Sequence, residues 1–155
     1  MVHDGKFFTV GHFINNVGDD ASLDLLIQVS ATRSMHATFG VQVGGDCEAY
    51  FYEGTTFSGA GTAITIYNNN RFSSTVATAT ITHTPTVSGV GTQIVPTIWI
   101  PGGSGGQAIG GQGGGPTRTG TEWILATSGV YLLRVTNRAG QATEISSQVA
   151  FYEPN

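Results

Sequence analysis

Asp24-Leu25-Leu26-Ile27-Gln28-Val29-Ser30 decides the class of fold. Leu25, Ile27 and Val29 fall on one side of an extended chain and Asp24, Gln28 and Ser30 on the other, the two-residue period of a half-buried strand. A helix would need apolar residues three and four apart between capping residues, and that pattern is nearly absent from the chain. Outward from this stretch the same period recurs. Ala37, Phe39, Val41 and Val43 alternate with His36, Thr38, Gly40 and Gln42, and Gly44-Gly45-Asp46 turns the chain into residues 47–53, so a hairpin is expected. Ile64 and Ile66 share one side of residues 62–67, and Asn68-Asn69-Asn70 reads as a turn because Asn tolerates left-handed backbone. Over residues 75–84, Ala77, Ala79 and Ile81 face one way and Thr78, Thr80 and Thr82 the other, an outer surface dressed with threonine in place of charge. Further strands are expected over 92–100, 121–126, 129–137 and 144–153, with a short one over 7–13. The expected fold is all-β, an antiparallel β-sandwich of jelly-roll type with about nine or ten strands.

Residues 101–116 hold nine of the 23 glycines. Glycine has no side chain to pack and loses the most backbone freedom on ordering, so residues 101–120 read as a flexible loop inserted between strands. At 155 residues the chain suffices for one core and is too short for two ordinary ones, so 1–155 is taken as a single domain. Phe51-Tyr52-Glu53 and Phe151-Tyr152-Glu153 echo each other, which suits similar strands in two sheets and equally suits chance. Residues 1–12 are either a first strand or an arm that orders against a partner through its aromatic rings.

Charge narrows the function. Only 10% of residues are charged, against about 25% in ordinary soluble domains, and the net charge is −4. Five of the six cations are arginines scattered from Arg33 to Arg138, so no basic stripe exists and no nucleic acid is expected as a partner. No apolar run approaches the ~20 residues of a membrane helix, so no membrane is expected either. Met1-Val2-His3-Asp4-Gly5-Lys6 lacks the basic-then-apolar order of a signal peptide. Cys47 stands alone, which excludes an internal disulfide and a thiolate zinc site and leaves a small buried thiol as its reading.

Several patterns tempt a catalytic or metal assignment. Gly102-Gly103-Ser104-Gly105-Gly106 fits a nucleophile elbow as text, and Gly103 to Ala108 fits a relaxed dinucleotide fingerprint, yet both need a following helix and only more glycine and Pro116 follow. His3, His12, His36 and His83 lack metal-ligand spacing and read as surface or turn residues. Asp19, Asp20 and Asp24 crowd one turn, but Leu25 stands where a calcium loop needs glycine. Glu48, Glu53, Glu122, Glu144 and Glu153 offer carboxylates for glycoside hydrolysis at separations a sequence does not fix, and solvated strand ends are the simpler reading. No catalytic residue, metal or cofactor is therefore assigned. Trp123 alternates with Leu125 as in a core strand, and Trp99 sits between Ile98 and Ile100, where both faces look covered, favouring core or subunit contact over a sugar platform.

Asp24-Leu25-Leu26-Ile27, His36-Ala37-Thr38-Phe39, Tyr50-Phe51-Tyr52-Glu53-Gly54-Thr55, Tyr67-Asn68-Asn69-Asn70-Arg71 and His83-Thr84-Pro85-Thr86 follow one another along the chain. Glu122-Trp123-Ile124-Leu125, Tyr131-Leu132-Leu133-Arg134-Val135-Thr136-Asn137 and the closing Phe151-Tyr152-Glu153 continue the series. In that order they resemble the small virion proteins that decorate or cement the capsids of tailed bacteriophages. The resemblance implies a non-enzymatic jelly-roll subunit, a homo-oligomer and specifically a trimer, bound to the major capsid protein across neighbouring capsomers on the outer face of the virion after assembly in the bacterial cytoplasm. Val2, Phe7, Phe8 and Trp99 are the candidate partner-interface residues. A carbohydrate- or receptor-binding module of a tail fibre or surface appendage is the alternative.

Overall fold

A computed structural model describes residues 2–103, 107–108 and 122–154. In chain order the strands are β1 (Phe7–Val17), β2 (Ser22–Gln28), β3 (Met35–Val43), β4 (Cys47–Glu53), β5 (Thr56–Gly59), β6 (Thr62–Ala63), β7 (Tyr67–Asn68) and β8 (Thr80–His83). They continue with β9 (Thr86–Gly89), β10 (Thr92–Gln93), β11 (Ile98–Ile100), β12 (Gln107–Ala108), β13 (Trp123–Leu125), β14 (Val130–Asn137) and β15 (Thr143–Tyr152). Most of the 101–120 loop lies outside the described residues. The first strand begins at Phe7, within the 1–12 stretch.

The sandwich is antiparallel throughout. A six-stranded sheet runs β12-β3-β15-β1-β7, with β13 also on β3, and a seven-stranded sheet runs β10-β4-β14-β2-β8-β6, with β11 also on β4. The long pairings nest: β1 with β15, β2 with β14, β3 with β13 and β4 with β11. Between the sheets lie Phe8, Val10, Phe39, Val41, Val149 and Phe151 from one side, and Leu25, Ile27, Ala49, Phe51, Leu133 and Val135 from the other. Phe39 meets Phe51 across the gap with ring centroids 4.8 Å apart, and Trp123 stands edge-on to Phe51 at 5.6 Å. Phe51 and Phe151, the centres of the Phe-Tyr-Glu echo, are both fully buried and come from opposite sheets.

The strand expected over 75–84 is shorter than its alternation suggested. Only Thr80–His83 joins a ladder, because the N–H groups of Thr78 and Ala79 are taken by the Glu153 carboxylate, Thr78 N at 3.0 and 2.9 Å from its two oxygens and Ala79 N at 2.7 Å from one of them. Glu153 is thus a buried clamp on the preceding crossover, correcting its reading as a solvated strand end. The stretches 62–67 and 92–100 likewise break into two- and three-residue strands.

One element went unread in the sequence. Strands β5 and β9 form a separate two-stranded ribbon, carried by Thr56-Phe57-Ser58-Gly59-Ala60-Gly61-Thr62 and Thr86-Val87-Ser88-Gly89-Val90-Gly91-Thr92, a repeat visible as text. The two copies cross over: β6, after the first, pairs with β8, and β10, after the second, pairs with β4. Gly61 and Gly91 have φ of +86° and +89°, and a Cβ on either would sit 2.2 Å from the His83 carbonyl oxygen or 2.1 Å from that of Glu53. Only glycine permits both the left-handed backbone and that approach.

Candidate functional site

The site candidates are the two outer faces, because alternation sends every second residue of each sheet away from the core. On the seven-stranded sheet the outward rows are, in register, Trp99, Glu48, Thr136 and Ser22; then Tyr50, Arg134 and Asp24; then Tyr52, Leu132, Leu26 and Thr82. Arg134 grips Asp24 with both prongs of its guanidinium, Nε to Oδ1 at 2.8 Å and Nη2 to Oδ2 at 2.7 Å. Tyr50 donates to Glu48 Oε2 at 2.5 Å, Arg138 Nε donates to the same oxygen at 2.9 Å, and Arg138 also reaches Asp20. The hydrogen bond from Tyr50 and then that from Arg138 hold the Glu48 carboxyl below its usual range, and the bond to Glu48 raises the Tyr50 phenol. Leu26 and Leu132, although outward, are fully buried. Thr82 beside them donates to the carbonyl of Ala60, between β5 and β6, and is a buried group, not part of an exposed threonine surface.

The aspartates of the β1–β2 turn do not converge on a cation. Asp20 pairs with Arg138, Asp24 with Arg134, and Asp19 accepts the Gly140 N–H at 2.9 Å. Among the described residues no cluster of three His, Cys, Asp or Glu could hold a metal. Cys47 is buried, and that burial pushes its thiol up to about 11.

On the six-stranded sheet the outward rows are Phe7, Tyr152, His36 and Ile124; then Thr9, Ala150 and Thr38; then Gly11, Gln148 and Gly40; then Phe13, Ser146 and Gln42. Phe13 is 59% exposed and Ile124 68%. Beside Phe13 an open hollow of about 450 Å³ is lined by Gln42, Val43, Gly44, Gly103, Glu144 and Ser146. His36 Nδ1 lies 2.8 Å from the Tyr152 hydroxyl and 3.3 Å from Glu122 Oε1.

A third surface surrounds the N-terminal turn. The Asn70 side chain donates to the His3 carbonyl at 3.1 Å, the Asn68 side chain donates to the carbonyls of Gly5 and Thr75 at 2.8 Å each, and Phe8 and Thr9 pair with β7. Pinned there are exposed Val2, Tyr67, Phe72 and Val76, with Phe72 wholly in solvent.

The sequence-chosen interface residues therefore separate. Val2 is exposed at this edge, Phe7 is half-buried on the outer face, Phe8 is 1% exposed and packs on Phe151 in the core, and Trp99 is 55% exposed. Trp99 is not covered on both faces as its apolar neighbours suggested, because Ile98 and Ile100 both turn inward and β11 lies at the sheet's rim. His12 and His83, expected as separate surface residues, stack with ring centroids 3.9 Å apart where β1 and β8 meet. Ser147 is paired with His12 but fully buried, so that serine and histidine present no hydroxyl to a substrate. Comparison with models of protein families, with curated proteins and with solved structures gives no match for this chain.

Proposed function

We propose that this chain is a non-enzymatic virion subunit that decorates and stabilises a phage capsid, assembling as a homo-oligomer and bridging neighbouring capsid subunits. The nested strand pairing is read as jelly-roll winding. The observation that carries the reading is the N-terminal edge. Val2, Tyr67, Phe72 and Val76 are held in the open by side-chain hydrogen bonds from Asn68 and Asn70 to the backbone, so their exposure is built rather than incidental. An apolar edge of this kind gains by being covered, and a surface of capsid protein is the cover the resemblance implies. Repetition across an oligomer then makes modest contacts add, since each further contact is intramolecular.

The protein is expected to co-purify with virions in fixed ratio to the major capsid protein and to raise the capsid's melting temperature saturably. Phe72→Asp, fully solvated in the free chain, is expected to leave the fold's own melting temperature unchanged and to weaken capsid binding about tenfold or more. Failure of the wild type to bind or stabilise capsids sinks the reading. Undiminished binding by Phe72→Asp moves the contact away from this edge.

A second reading rests on Trp99. Its exposed ring shares a face with Tyr50 and Tyr52, whose rings stack at 6.1 Å, and with the carboxylate of Glu48. Aromatic faces beside a polar acceptor suit the apolar and hydroxyl sides of a sugar ring. Loss of glycan-array binding in Trp99→Ala with melting unchanged would favour this module, and no glycan signal in the wild type would remove it.

A further inference from the structure

Gly40 lies in the middle of β3, where neither a turn nor a left-handed φ calls for glycine. A Cβ built on it would meet no described atom within 4 Å. Glycine weakens a strand interior, and where no bulge or bend explains it the usual cause is another backbone or a ligand coming close. Across the sheet Gly40 is in register with Ala108 on one side and with Gln148 and then Gly11 on the other; the Gln148 side chain lies against Gly11, its Cγ 3.3 Å from where a Cβ would stand, so the open notch in the outer face is at Gly40 itself.

The rows beside that notch carry Thr9, Ala150 and Thr38 on one side and Phe13, Ser146 and Gln42 on the other, with no charge among them. Carboxylates stand only at the margins, at Glu122 and Glu144. We propose that this face is the surface on which a second copy of the chain docks, a proposal that rests on the homo-oligomer in the reading above and gives it a location.

Charge argues for a copy over another partner. Hydroxyl and amide groups both donate and accept, so a face built from Thr, Ser and Gln complements itself. A partner rich in acidic groups would surrender hydration here and find no counter-charge within these rows, and a basic one would find carboxylates only at the margins, at Glu122 and Glu144. Size agrees as well. Four strand spacings by the length of β15 give a footprint on the order of 20 Å by 30 Å, a planar area of roughly 600 Å² before side-chain relief, against about 800 Å² per partner in a standard interface. Exposed Phe13 and Ile124 at opposite ends supply apolar anchors for such a contact.

The test is sedimentation equilibrium of the full chain over a concentration series, with wild type, Gly40→Arg and Trp99→Ala, and thermal melts of each at the lowest concentration. Gly40→Arg is expected to dissociate the assembly, with about tenfold or weaker association, while melting no earlier than wild type, since the new side chain enters open space. Trp99→Ala, on the opposite sheet, is expected to associate as wild type does. A wild type that stays monomeric overturns the proposal, as does a Gly40→Arg variant that associates normally. A Gly40→Arg variant that loses melting temperature with association unchanged also overturns it, because the face is then covered from within the chain. Virion binding by the same proteins separates the two readings. A monomeric wild type that still decorates sinks this interface alone, and a Gly40-dependent oligomer that ignores virions sinks decoration alone.

Discussion

Leu26 and Leu132 on the seven-stranded sheet, and Thr38 and Ala150 on the six-stranded sheet, occupy the same kind of position: mid-strand, in register with each other and pointing away from the core. The first pair is fully buried, and the second is only half-buried. Beside Leu26 and Leu132 the Thr82 hydroxyl is tied to the Ala60 carbonyl, and around them the charges are paired as Asp24–Arg134 and Glu48–Arg138. Over Thr38 and Ala150 the described residues place nothing comparable, and the surface is neutral, small and glycine-bearing. Among the described residues, one outer face is finished within the molecule, and the other, left unfinished, is the face proposed to receive a second copy.

The largest expected effect breaks the finished face. Leu132→Ala removes a fully buried side chain and should cost about 2–5 kcal/mol, the range for truncating a fully buried leucine. Thr38→Ala at the matching position of the other sheet should change the monomer's stability by no more than about 0.5 kcal/mol. Urea unfolding at a concentration too low for association checks both. Equal losses would mean that the two faces are equally buried and would erase the contrast.

Much of this contrast was out of reach of the sequence for a physical reason. Period-two alternation shows which residues of one strand share a side, so Leu25, Ile27, Phe39 and Val41 were readable as core. It does not show which strands are neighbours or in what register, and a face is a property of neighbours. His12 and His83 are far apart in sequence, and only the meeting of β1 with β8 stacks them. Glu153 reads as a polar strand end until the N–H groups of Thr78 and Ala79 are seen to converge on it. Leu26 falls on the outward side with Asp24, Gln28 and Ser30, and its full burial is visible only in the structure. For the β5–β9 ribbon a signal did exist, in the Thr-Phe-Ser-Gly-Ala-Gly-Thr and Thr-Val-Ser-Gly-Val-Gly-Thr repeat at 56–62 and 86–92. Trp99 carried no such signal, since apolar neighbours on an edge strand look the same as those on a central one.

A smaller effect sits at the seam between the two sheets. Partial burial, and then the charge of His83, lower the His12 imidazole below its ordinary 6.5. The unfolded chain therefore takes up a proton at His12 more readily than the folded chain does. Well above the ordinary 6.5 His12 is neutral in both states and contributes no pH dependence. As pH falls below 6.5 toward the lowered folded value, protons favour unfolding and stability is lost. His12→Phe should flatten the stability curve in that window while leaving the acid limb below the ordinary carboxyl value, where Glu48 titrates, in place. Unfolding free energies measured from pH 8 to pH 5, a span chosen to bracket the ordinary histidine value, provide the check. An unchanged slope in the variant would remove the pair as its cause.

The smallest expected effect has the opposite sign and probes the unfinished face from inside the monomer. Gly40→Val replaces a residue that loses the most backbone freedom on folding with one that suits a strand, at a position where the added Cβ has open space. The isolated chain should gain roughly 0.5–1 kcal/mol, seen as a higher urea midpoint at unchanged slope. At concentrations where wild type associates, the same substitution should weaken self-association, because the valine stands in the notch that a neighbouring copy would enter. Those two results together mean that the glycine is held at a cost to the monomer and for the benefit of the assembly. Loss of stability in the monomer would instead show that Gly40 serves the strand itself, and the two faces would then differ only in how their own chain covers them.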